Sequence, residues 1–424
     1  MTTGAMLVSA ERAIARCREI ATYTEAPGET TRTFLCEPAR AVQELLRGWM
    51  ERAGMVVHVD AAGNVRGIYA GTEEGGPRLL IGSHLDTVPN AGAFDGVLGV
   101  VLGVAAVEEL RGERLPFAIE VIGFSEEEGV RFARPFLGSM ALVGRMDEAM
   151  LTLRDARGVS VESALRGFGL DPTQMDAASI GEGAKAFLEL HIEQGPVLES
   201  AGVALGVVEE IAGQTRLLLT FRGRSNHAGT TPMALRQDAL AAASEWVVGV
   251  EARARATDGL VATVGRVEVR PGAGNVIAGE VKASLDVRHA LDSTREGAVG
   301  ALAALAREAG ARRGVAVAME TTMEQAAVPM SRGMVEALER AAGLAGYAPK
   351  RLTSGAGHDA MVLAWRIPSA MLFVRSPGGV SHHPEERVLA EDVAAAMATV
   401  MEFLMLLRDE GTERLMHDER DRYA

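Results

Sequence analysis

The hydrophobic and polar positions along the first third of the chain predict a mixed α/β fold. Apolar residues recur at three and four positions over 8–52, which predicts a largely helical start. Short apolar runs then predict strands at 55–59, 65–69, 79–81 and 117–124. The apolar run 97–107 is too short to span a bilayer and predicts a buried helix. Strands alternating with helices indicate an α/β sheet with a site at the strand ends.

The pattern changes after about residue 211. Strands are predicted at 215–221, 261–269 and 279–288, with helices at 232–253 and 295–309. This β-α-β-β-α order is typical of a small antiparallel sheet with helices on one face. A strand at 186–192 precedes this part, and α/β character returns after about 328, with a helix at 334–346, a strand at 369–374 and a helix from 391 to about 407. We therefore predict one domain formed by 1–210 and 328–424, and a second, inserted domain at 211–327. Residues 417–424 are highly charged and are expected to fray.

Composition narrows the function classes. The chain has 424 residues and a formal net charge of −14, which argues against a nucleic-acid-binding protein. Its two cysteines, Cys17 and Cys36, lie in no CxxC pair, so buried thiols and a reducing compartment are expected. The first residues carry charges and lack the apolar region of a signal peptide. We therefore expect a cytoplasmic protein with no membrane partner.

Polar side chains follow two of the predicted buried strands. His84 and Asp86 are two residues apart on an extended segment after 79–81, so their side chains share a face. A carboxylate there can accept the ring N–H of a metal-binding histidine. The alternative is a surface His-Asp pair at a turn. The strand 117–124 ends at Glu126, Glu127 and Glu128, which would repel one another at a strand tip unless cations compensate, or would form a solvated loop.

Three further side chains complete a candidate metal set. Asp95 precedes a helix, where an aspartate either caps the helix or binds a cation. His191 lies on an apolar strand and is followed by Gln194, and either His382 or His383 can serve from the loop before Pro384. Three imidazoles and two carboxylates suit two divalent cations with one bridging carboxylate. Glu127 could deprotonate the attacking water, so the set indicates a hydrolase.

The inserted domain carries polar residues that the metal set does not need. They are His227, Asn275 and Arg288, for which ordinary turn or surface roles are the alternative. If this domain closes over the cations, His227 can stabilise an oxyanion, and Arg288 can bind a carboxylate through two hydrogen bonds.

These motifs resemble the dinuclear-metal amidohydrolases of peptidase family M20. The similarity covers nearly the whole chain and is greatest to the branch acting on ureido compounds: allantoate amidohydrolases, N-carbamoyl-L-amino-acid hydrolases and β-ureidopropionases. Three segments favour the allantoate enzymes, although carbamoylases share them in part: 128–132, 211–217 and 354–361. The chain departs from the family pattern at His383, where Asn or Ser is common, and at Ala278, where proline is usual.

The resemblance implies a Zn-peptidase-like catalytic domain and an inserted lid and dimerisation domain, and hence a homodimer. It implies two divalent ions, Zn or Mn with Co possible, a general base at Glu127 and a supporting carboxylate at Asp86. The implied cation ligands are His84, Asp95 as the bridge, Glu128, His191 and His382. Substrate contacts are implied for His227, Asn275, Arg288 and Gln194. The family also implies a cis peptide bond between Asp95 and Gly96.

The function expected from the sequence is hydrolysis of a linear ureido C–N bond in a small carboxylate-bearing substrate. Allantoate, giving ureidoglycine, ammonia and carbon dioxide, is the first candidate, with N-carbamoyl-L-amino acids or β-ureidopropionate as alternatives. A dipeptidase or N-acyl-amino-acid deacylase on the same scaffold is a more distant alternative. A protein without metals that binds or scaffolds as a dimer is the alternative outside the enzymes.

Overall fold

A computed structural model of the chain describes residues 3–411, so the predicted frayed segment 417–424 lies outside the described residues. The chain divides into two compact units. One comprises Met1–Glu209 and Met330–Ala424, and the other comprises Glu210–Pro329.

The described residues form twelve α-helices and fourteen strands. The larger unit begins with α1 (Thr3–Ala21), α2 (Glu37–Arg52), β1 (Val56–Val59), β2 (Val65–Tyr69), β3 (Arg78–His84), α3 (Val97–Glu109), β4 (Ala118–Phe124), α4 (Leu137–Leu142), α5 (Glu148–Thr152), α6 (Val161–Gly167), β5 (Ala184–Ile192), α7 (Val197–Ala201) and β6 (Leu205–Ile211). The chain continues through β7 (Gly213–Arg222), α8 (Ala239–Arg255), β8 (Val261–Thr263), β9 (Val267–Arg270), β10 (Glu280–His289), α9 (Asp292–Arg312), β11 (Ala316–Gln325) and β12 (Val328–Pro329). It ends with α10 (Arg332–Leu344), β13 (Lys350–Ser354), α11 (Asp359–Leu363), β14 (Ser369–Val374) and α12 (Ala390–Glu410).

The larger unit is built on a nine-stranded mixed sheet. Its order is β1-β2-β4-β3-β5-β14-β6-β12, with β13 paired to β6. The four central strands β4, β3, β5 and β14 are parallel neighbours, with Ile81 opposite Val121 and Leu188, and Phe373 opposite His191. Their carboxyl ends therefore meet at one edge of the sheet.

Helix α3 packs on the central strands and is buried almost throughout. Leu98, Val101 and Val104 are fully inaccessible, as the continuous apolar run predicted. A helix that is apolar on all sides can be stable only inside a core. The mixed α/β fold predicted from the sequence is confirmed.

The smaller unit is a five-stranded antiparallel sheet in the order β11-β7-β10-β8, with β9 also paired to β10. Its core includes Phe221 on β7 and Trp246 on α8, whose indole N–H donates to the carbonyl of Leu302 on α9 at 3.1 Å. The helices α8 and α9 thus share one buried layer.

The largely helical start predicted over 8–52 is confirmed as α1 and α2, which are separated by 22–36. Three details of the other predicted elements were wrong. The helix predicted from residue 232 begins at Ala239, because the Asp238 side chain accepts the amide protons of Leu240 and Ala241. The strand predicted at 261–269 is two strands, because three residues (264–266) face two (284–285) on β10 and form a bulge. Strand β11 was missed: Val317 and Met319 alternate on its inner face and pack partly buried against the core, but its second half is polar.

The cysteines and the helices bear on two expectations that came from composition. Cys17 and Cys36 are both buried free thiols, as predicted. Among residues 3–411, no helix combines the length and apolar character needed to cross a membrane.

Candidate metal centre

The predicted cation ligands in the larger unit gather at the carboxyl ends of the central strands. His84 ends β3, Glu128 follows β4, His191 lies near the end of β5 and His382 lies in the loop after β14. Asp95 precedes α3, which packs against β3. Residues separated by up to about three hundred positions are therefore brought to one place because their strands are neighbours.

Asp95 is the centre of this cluster. Its Oδ1 lies 3.2 Å from His191 Nε2 and 3.7 Å from His84 Nε2. Its Oδ2 lies 3.0 Å from His382 Nε2, which is 3.5 Å from Glu128 Oε1. The two oxygens of Asp95 thus face two different groups of donors, as a bridging carboxylate would.

The rings of His84 and His191 are fixed by backbone carbonyls. His84 Nδ1 lies 2.9 Å from the carbonyl oxygen of Asp86, and His191 Nδ1 lies 2.8 Å from that of Ile192. A carbonyl can only accept, so each Nδ1 carries a proton, and in the neutral form of either ring the lone pair of Nε2 faces Asp95. This is the tautomer that a metal-binding histidine requires.

Asp86 supports the cluster in a way that the sequence did not indicate. Its carboxylate lies 3.5 Å from His84 Nδ1, so the nearer acceptor of that ring is the Asp86 carbonyl. The carboxylate oxygens instead accept the amide protons of Glu127 and Glu128, at 2.9 and 3.1 Å. Asp86 therefore orients the backbone of the acidic segment as well as the histidine.

The acidic segment is buried rather than solvated. Glu126 and Glu127 are 0% and 8% exposed. Burial raises the pKa of Glu127 well above its usual range, an effect that His84 opposes and the nearby Glu128 carboxylate increases. Burial likewise raises the pKa of Glu128 to about 7, against the effect of His84. Buried acids of this kind need compensating positive charge or a proton.

The histidines respond to the same charges. Burial would lower the pKa of His84, but the carboxylates of Asp86 and Asp95 raise it well above its ordinary value. The Asp95 carboxylate also raises the pKa of His382, against the effect of burial. Positive charge is therefore favoured on His84 and His382, whereas burial lowers the pKa of His191 to about 4.

The structure brings His382, and not His383, into the cluster. His382 adopts a left-handed backbone (φ 56°), which is uncommon outside glycine and turns its ring toward Asp95. The His383 side chain is 52% exposed and lies 3.9 Å from the carboxylate of Glu385.

The predicted cis bond between Asp95 and Gly96 is wrong. Within residues 3–411 the one cis peptide bond is Arg270–Pro271. Gly96 instead makes the turn into α3 with a left-handed backbone (φ 67°), and a Cβ there would lie 2.4–2.5 Å from the His84 ring. The helix-cap alternative for Asp95 is also wrong, because the N-cap residue is Gly96 and α3 has no side-chain cap.

Gln194 lies beside the cluster in the larger unit. Its Nε2 lies 3.1 Å from each carboxylate oxygen of Asp95 and 3.3 Å from His382 Nε2. Its backbone is left-handed (φ 57°), and its backbone N–H donates to Ser376 Oγ at 3.1 Å.

Sequence reasoning missed three residues next to the predicted ligands. The ring of His358 packs edge-on against His191, with centroids 4.5 Å apart. Ser381 Oγ lies 3.3 Å from Asp95 Oδ2, and Glu386 accepts the amide proton of Asp95 at 3.0 Å. His358 lies in a segment that the sequence did single out, whereas nothing in the sequence separates Glu386 from its neighbour Glu385.

The other predicted substrate-binding residues lie in the smaller unit. His227 and Asn275 are exposed on two loops joined by a hydrogen bond from the amide of Ala228 to the carbonyl of Asn275, at 2.9 Å. Arg288 lies on β10, where its guanidinium donates to both carboxylate oxygens of Asp286, each at 3.0 Å.

The donor set in the larger unit fits divalent cations. His84, Asp95 and His191 offer one group of ligand atoms within 4.8 Å of one another, and Asp95, Glu128 and His382 offer a second. Imidazole nitrogen with carboxylate oxygen suits Zn, Mn or Co. The shared Asp95 joins the two groups.

Comparison with known proteins agrees with this geometry. The model of peptidase family M20/M25/M40 matches residues 80–406, so the chain belongs to that family, as its motifs predicted. The chain is 41% identical to an N-carbamoyl-L-amino acid amidohydrolase of Geobacillus stearothermophilus, over 92% of this chain and 96% of that protein. It is 39% identical to allantoate deiminase 1 of Glycine max, over 93% of this chain and 89% of that protein.

Solved structures give the same result for the fold. A hydantoinase/carbamoylase family amidase from Burkholderia multivorans superposes with a TM-score of 0.89 at 32% identity, covering 94% of this chain and 98% of that chain. AtUAH in complex with (S)-hydroxyglycine superposes with a TM-score of 0.78 at 30% identity, covering 95% and 99%. The mixed α/β fold is therefore shared over nearly the whole length of these proteins.

Proposed function

We propose that the chain is a two-cation amidohydrolase that cleaves a linear ureido C–N bond in a small carboxylate-bearing substrate, with allantoate as the first candidate. The single observation that carries the proposal is the position of Asp95, whose two oxygens face separate groups of donors. The relatives support the substrate class, since allantoate and N-carbamoyl-L-amino acids are both ureido carboxylates. The AtUAH complex supports a small carboxylate, because (S)-hydroxyglycine is one.

The two cations would be held by the side chains already described. We assign one group to His84, Asp95 and His191, and the other to Asp95, Glu128 and His382. When bound, such ions supply Lewis acidity at a carbonyl oxygen and increase the acidity of water. Mn and Zn both suit these ligands.

Glu127 is the proposed general base. Its carboxylate lies with His84 and Glu128 in one group of potential ligand atoms and is buried, so it is held beside the proposed cations where a base is needed. Glu127 accepts a proton from the attacking water and passes it to the leaving nitrogen. Asp86 holds the Glu127 amide, so the base is fixed relative to His84.

Residues of the smaller unit are proposed to bind the rest of the substrate. Arg288 is assigned to the substrate carboxylate because a planar guanidinium can donate two parallel hydrogen bonds, and the substrate would share or replace Asp286 as the acceptor. Asn275 supplies an amide to the same end of the substrate, and His227 stabilises negative charge on the reacting oxygen. In the larger unit, Gln194 would contact the substrate beside Asp95.

We also propose that the smaller unit mediates a homodimer. Val248 on α8 and Val261 on β8 are 70% and 57% exposed, and β8 is an edge strand. Light scattering should give twice the mass of one chain, and a Val248→Glu, Val261→Glu double variant should give one chain. A wild-type mass of one chain would exclude the dimer.

A substrate panel tests the activity. Ammonia release would be measured from allantoate, N-carbamoyl-L-amino acids and N-carbamoyl-β-alanine, with Mn²⁺ and Zn²⁺ in parallel. Cleavage of dipeptides and N-acetyl amino acids would be measured beside it. We expect ammonia from allantoate, with ureidoglycine and carbon dioxide. Ammonia from N-carbamoyl-L-amino acids alone would favour the second candidate, which the Geobacillus relative supports. Cleavage of dipeptides without ammonia release would overturn the ureido assignment.

A further inference from the structure

Glu386 holds the backbone that carries the central carboxylate of the metal centre. Its side chain is 5% exposed. Its Oε1 accepts two consecutive amide protons, from Phe94 at 2.8 Å and from Asp95 at 3.0 Å. Almost three hundred positions separate the acceptor from these donors, so the contact joins two distant segments of the chain.

The same residue also contacts the loop of another proposed ligand. Ser381 Oγ lies 3.4 Å from Glu386 Oε2 and 3.3 Å from Asp95 Oδ2. His382 is the next residue, and its Nε2 lies 3.0 Å from that Asp95 oxygen. One short segment therefore provides a cation-binding imidazole and fixes the carboxylate that faces it.

The backbone before α3 needs such an acceptor. The N-cap residue Gly96 has no side chain, and α3 has no side-chain cap. Buried amide groups near a helix start are costly unless a side chain or water accepts from them. A carboxylate is favoured in this position because the helix N-terminus carries partial positive charge.

Glu386 itself has little room to move. A Cβ at Gly92 would lie 2.3 Å from the Glu386 Cβ and 2.5 Å from its Oε1, so the backbone of Gly92 directly adjoins this side chain. The carboxylate is thus confined on one side by Gly92 and hydrogen-bonded on the other to Phe94 and Asp95.

We infer that Glu386 is a positioning residue for Asp95, which it aims at both cations from outside the ligand set. This inference rests on the proposed two-cation function. Partners behind metal ligands typically change metal affinity or activity by about 10–100-fold when they are removed. Glu386 positions Asp95 through the two hydrogen bonds that its Oε1 accepts. The Glu386→Gln variant keeps one acceptor oxygen, so it should keep much of the Mn²⁺ affinity.

The test is Mn²⁺ titration of the metal-stripped full-length protein by calorimetry. Glu386→Ala should weaken Mn²⁺ binding by about 10–100-fold, and Glu386→Gln should weaken it less. Gly92→Ala, which displaces the side chain of Glu386, should also weaken binding. Glu385→Gln is the matched control, because Glu385 is adjacent in sequence and exposed, and it should bind as the wild type does.

Melting temperatures without cations and kcat at saturating Mn²⁺ would be measured on each variant. A merely structural role would lower the melting temperature and leave the Mn²⁺ dissociation constants unchanged, which would overturn the inference. If Glu386→Ala does not fold, the Mn²⁺ dissociation constants of Glu386→Gln and Gly92→Ala are compared with that of Glu385→Gln. Equal constants in all three would overturn the inference. If the wild type binds two ions and the Glu386 and Gly92 variants bind Mn²⁺ equally well, the positioning role alone is refuted. Wild-type protein that binds none would refute the proposed function and this inference together.

Discussion

His84 and His191 point the same ring nitrogen at each other, with their Nε2 atoms 3.4 Å apart. Each ring has its Nδ1 proton directed at a backbone carbonyl. In their neutral forms the two rings therefore place two lone pairs beside Asp95 Oδ1. This convergence of electron-rich atoms is unfavourable by itself and favourable around a cation.

Removal of divalent ions should abolish ammonia release from the ureido substrate. Dialysis against a strong chelator should also lower the melting temperature, because ions that bind only the native state stabilise it by about 2.7 kcal/mol at one hundred times their dissociation constant. Addition of Mn²⁺ or Zn²⁺ should restore both. Full activity in protein shown by elemental analysis to be free of metal would contradict the two-cation site.

Glu127→Gln should retain the metal ions and lose turnover by a factor of about 10² or more. The amide keeps the shape of the side chain but cannot take a proton. Metal content by elemental analysis and kcat by ammonia release would be compared with Glu74→Gln, an exposed acid in the turn between β2 and β3. Unchanged kcat in the Glu127 variant would remove its role as the base.

His382→Ala and His383→Ala should behave differently although the residues are adjacent. His382 Nε2 lies 3.0 Å from Asp95, whereas His383 is directed at Glu385. We expect the first variant to lose one of the two ions and nearly all activity, and the second to resemble the wild type. Equal losses in both, measured by metal stoichiometry, would show that the assignment of His382 is wrong.

Gly96→Ala should lower Mn²⁺ affinity as well as stability, whereas the strain of a left-handed backbone alone would lower only stability. A methyl group there meets the His84 ring at 2.4–2.5 Å. Gly112→Ala is the control, because Gly112 is also left-handed (φ 91°) but a Cβ there meets nothing within 4 Å. Both variants should lose about 1–2 kcal/mol of stability from backbone strain, measured by chemical denaturation. Mn²⁺ affinity should fall in Gly96→Ala only, and a parallel fall in Gly112→Ala would exclude the steric explanation.

Cys17 and Cys36 should resist alkylation by iodoacetamide at pH 8 in the native protein. Burial raises the pKa of Cys17 far above its ordinary value and that of Cys36 to about 12, so almost no thiolate forms. Mass spectrometry should detect no adduct before denaturation and two after it. Rapid modification of either thiol under native conditions would contradict its burial.

The gathering of the candidate ligands was largely foreseeable because most of them follow buried strands. Apolar runs located β3, β4, β5 and β14, and parallel neighbours necessarily align their carboxyl ends. Residues His84, Glu128 and His191 could be named on that basis. The sequence could not decide between His382 and His383, because the choice depends on the left-handed backbone of His382. The flanking residues do not specify that conformation.

The parts that escaped prediction depend on contacts between distant segments. Glu386 accepts protons from Phe94 and Asp95, and no local pattern encodes that pairing. The cis bond between Asp95 and Gly96 was expected from the family resemblance alone. In this chain the turn into α3 is made by the left-handed backbone of Gly96. In the smaller unit, the apolar alternation of β11 is limited to Val317 and Met319, and the polar run 320–322 that follows hides the strand in the sequence.

The wide spread of the ligands along the chain has a consequence for biosynthesis. His84 emerges from the ribosome early, but the loop carrying His382 follows the whole of the smaller unit and β14. A nascent chain therefore cannot present the complete set of proposed donors until the loop after β14 has been synthesised. The metal ions available to the chain from that moment on would decide which element it carries.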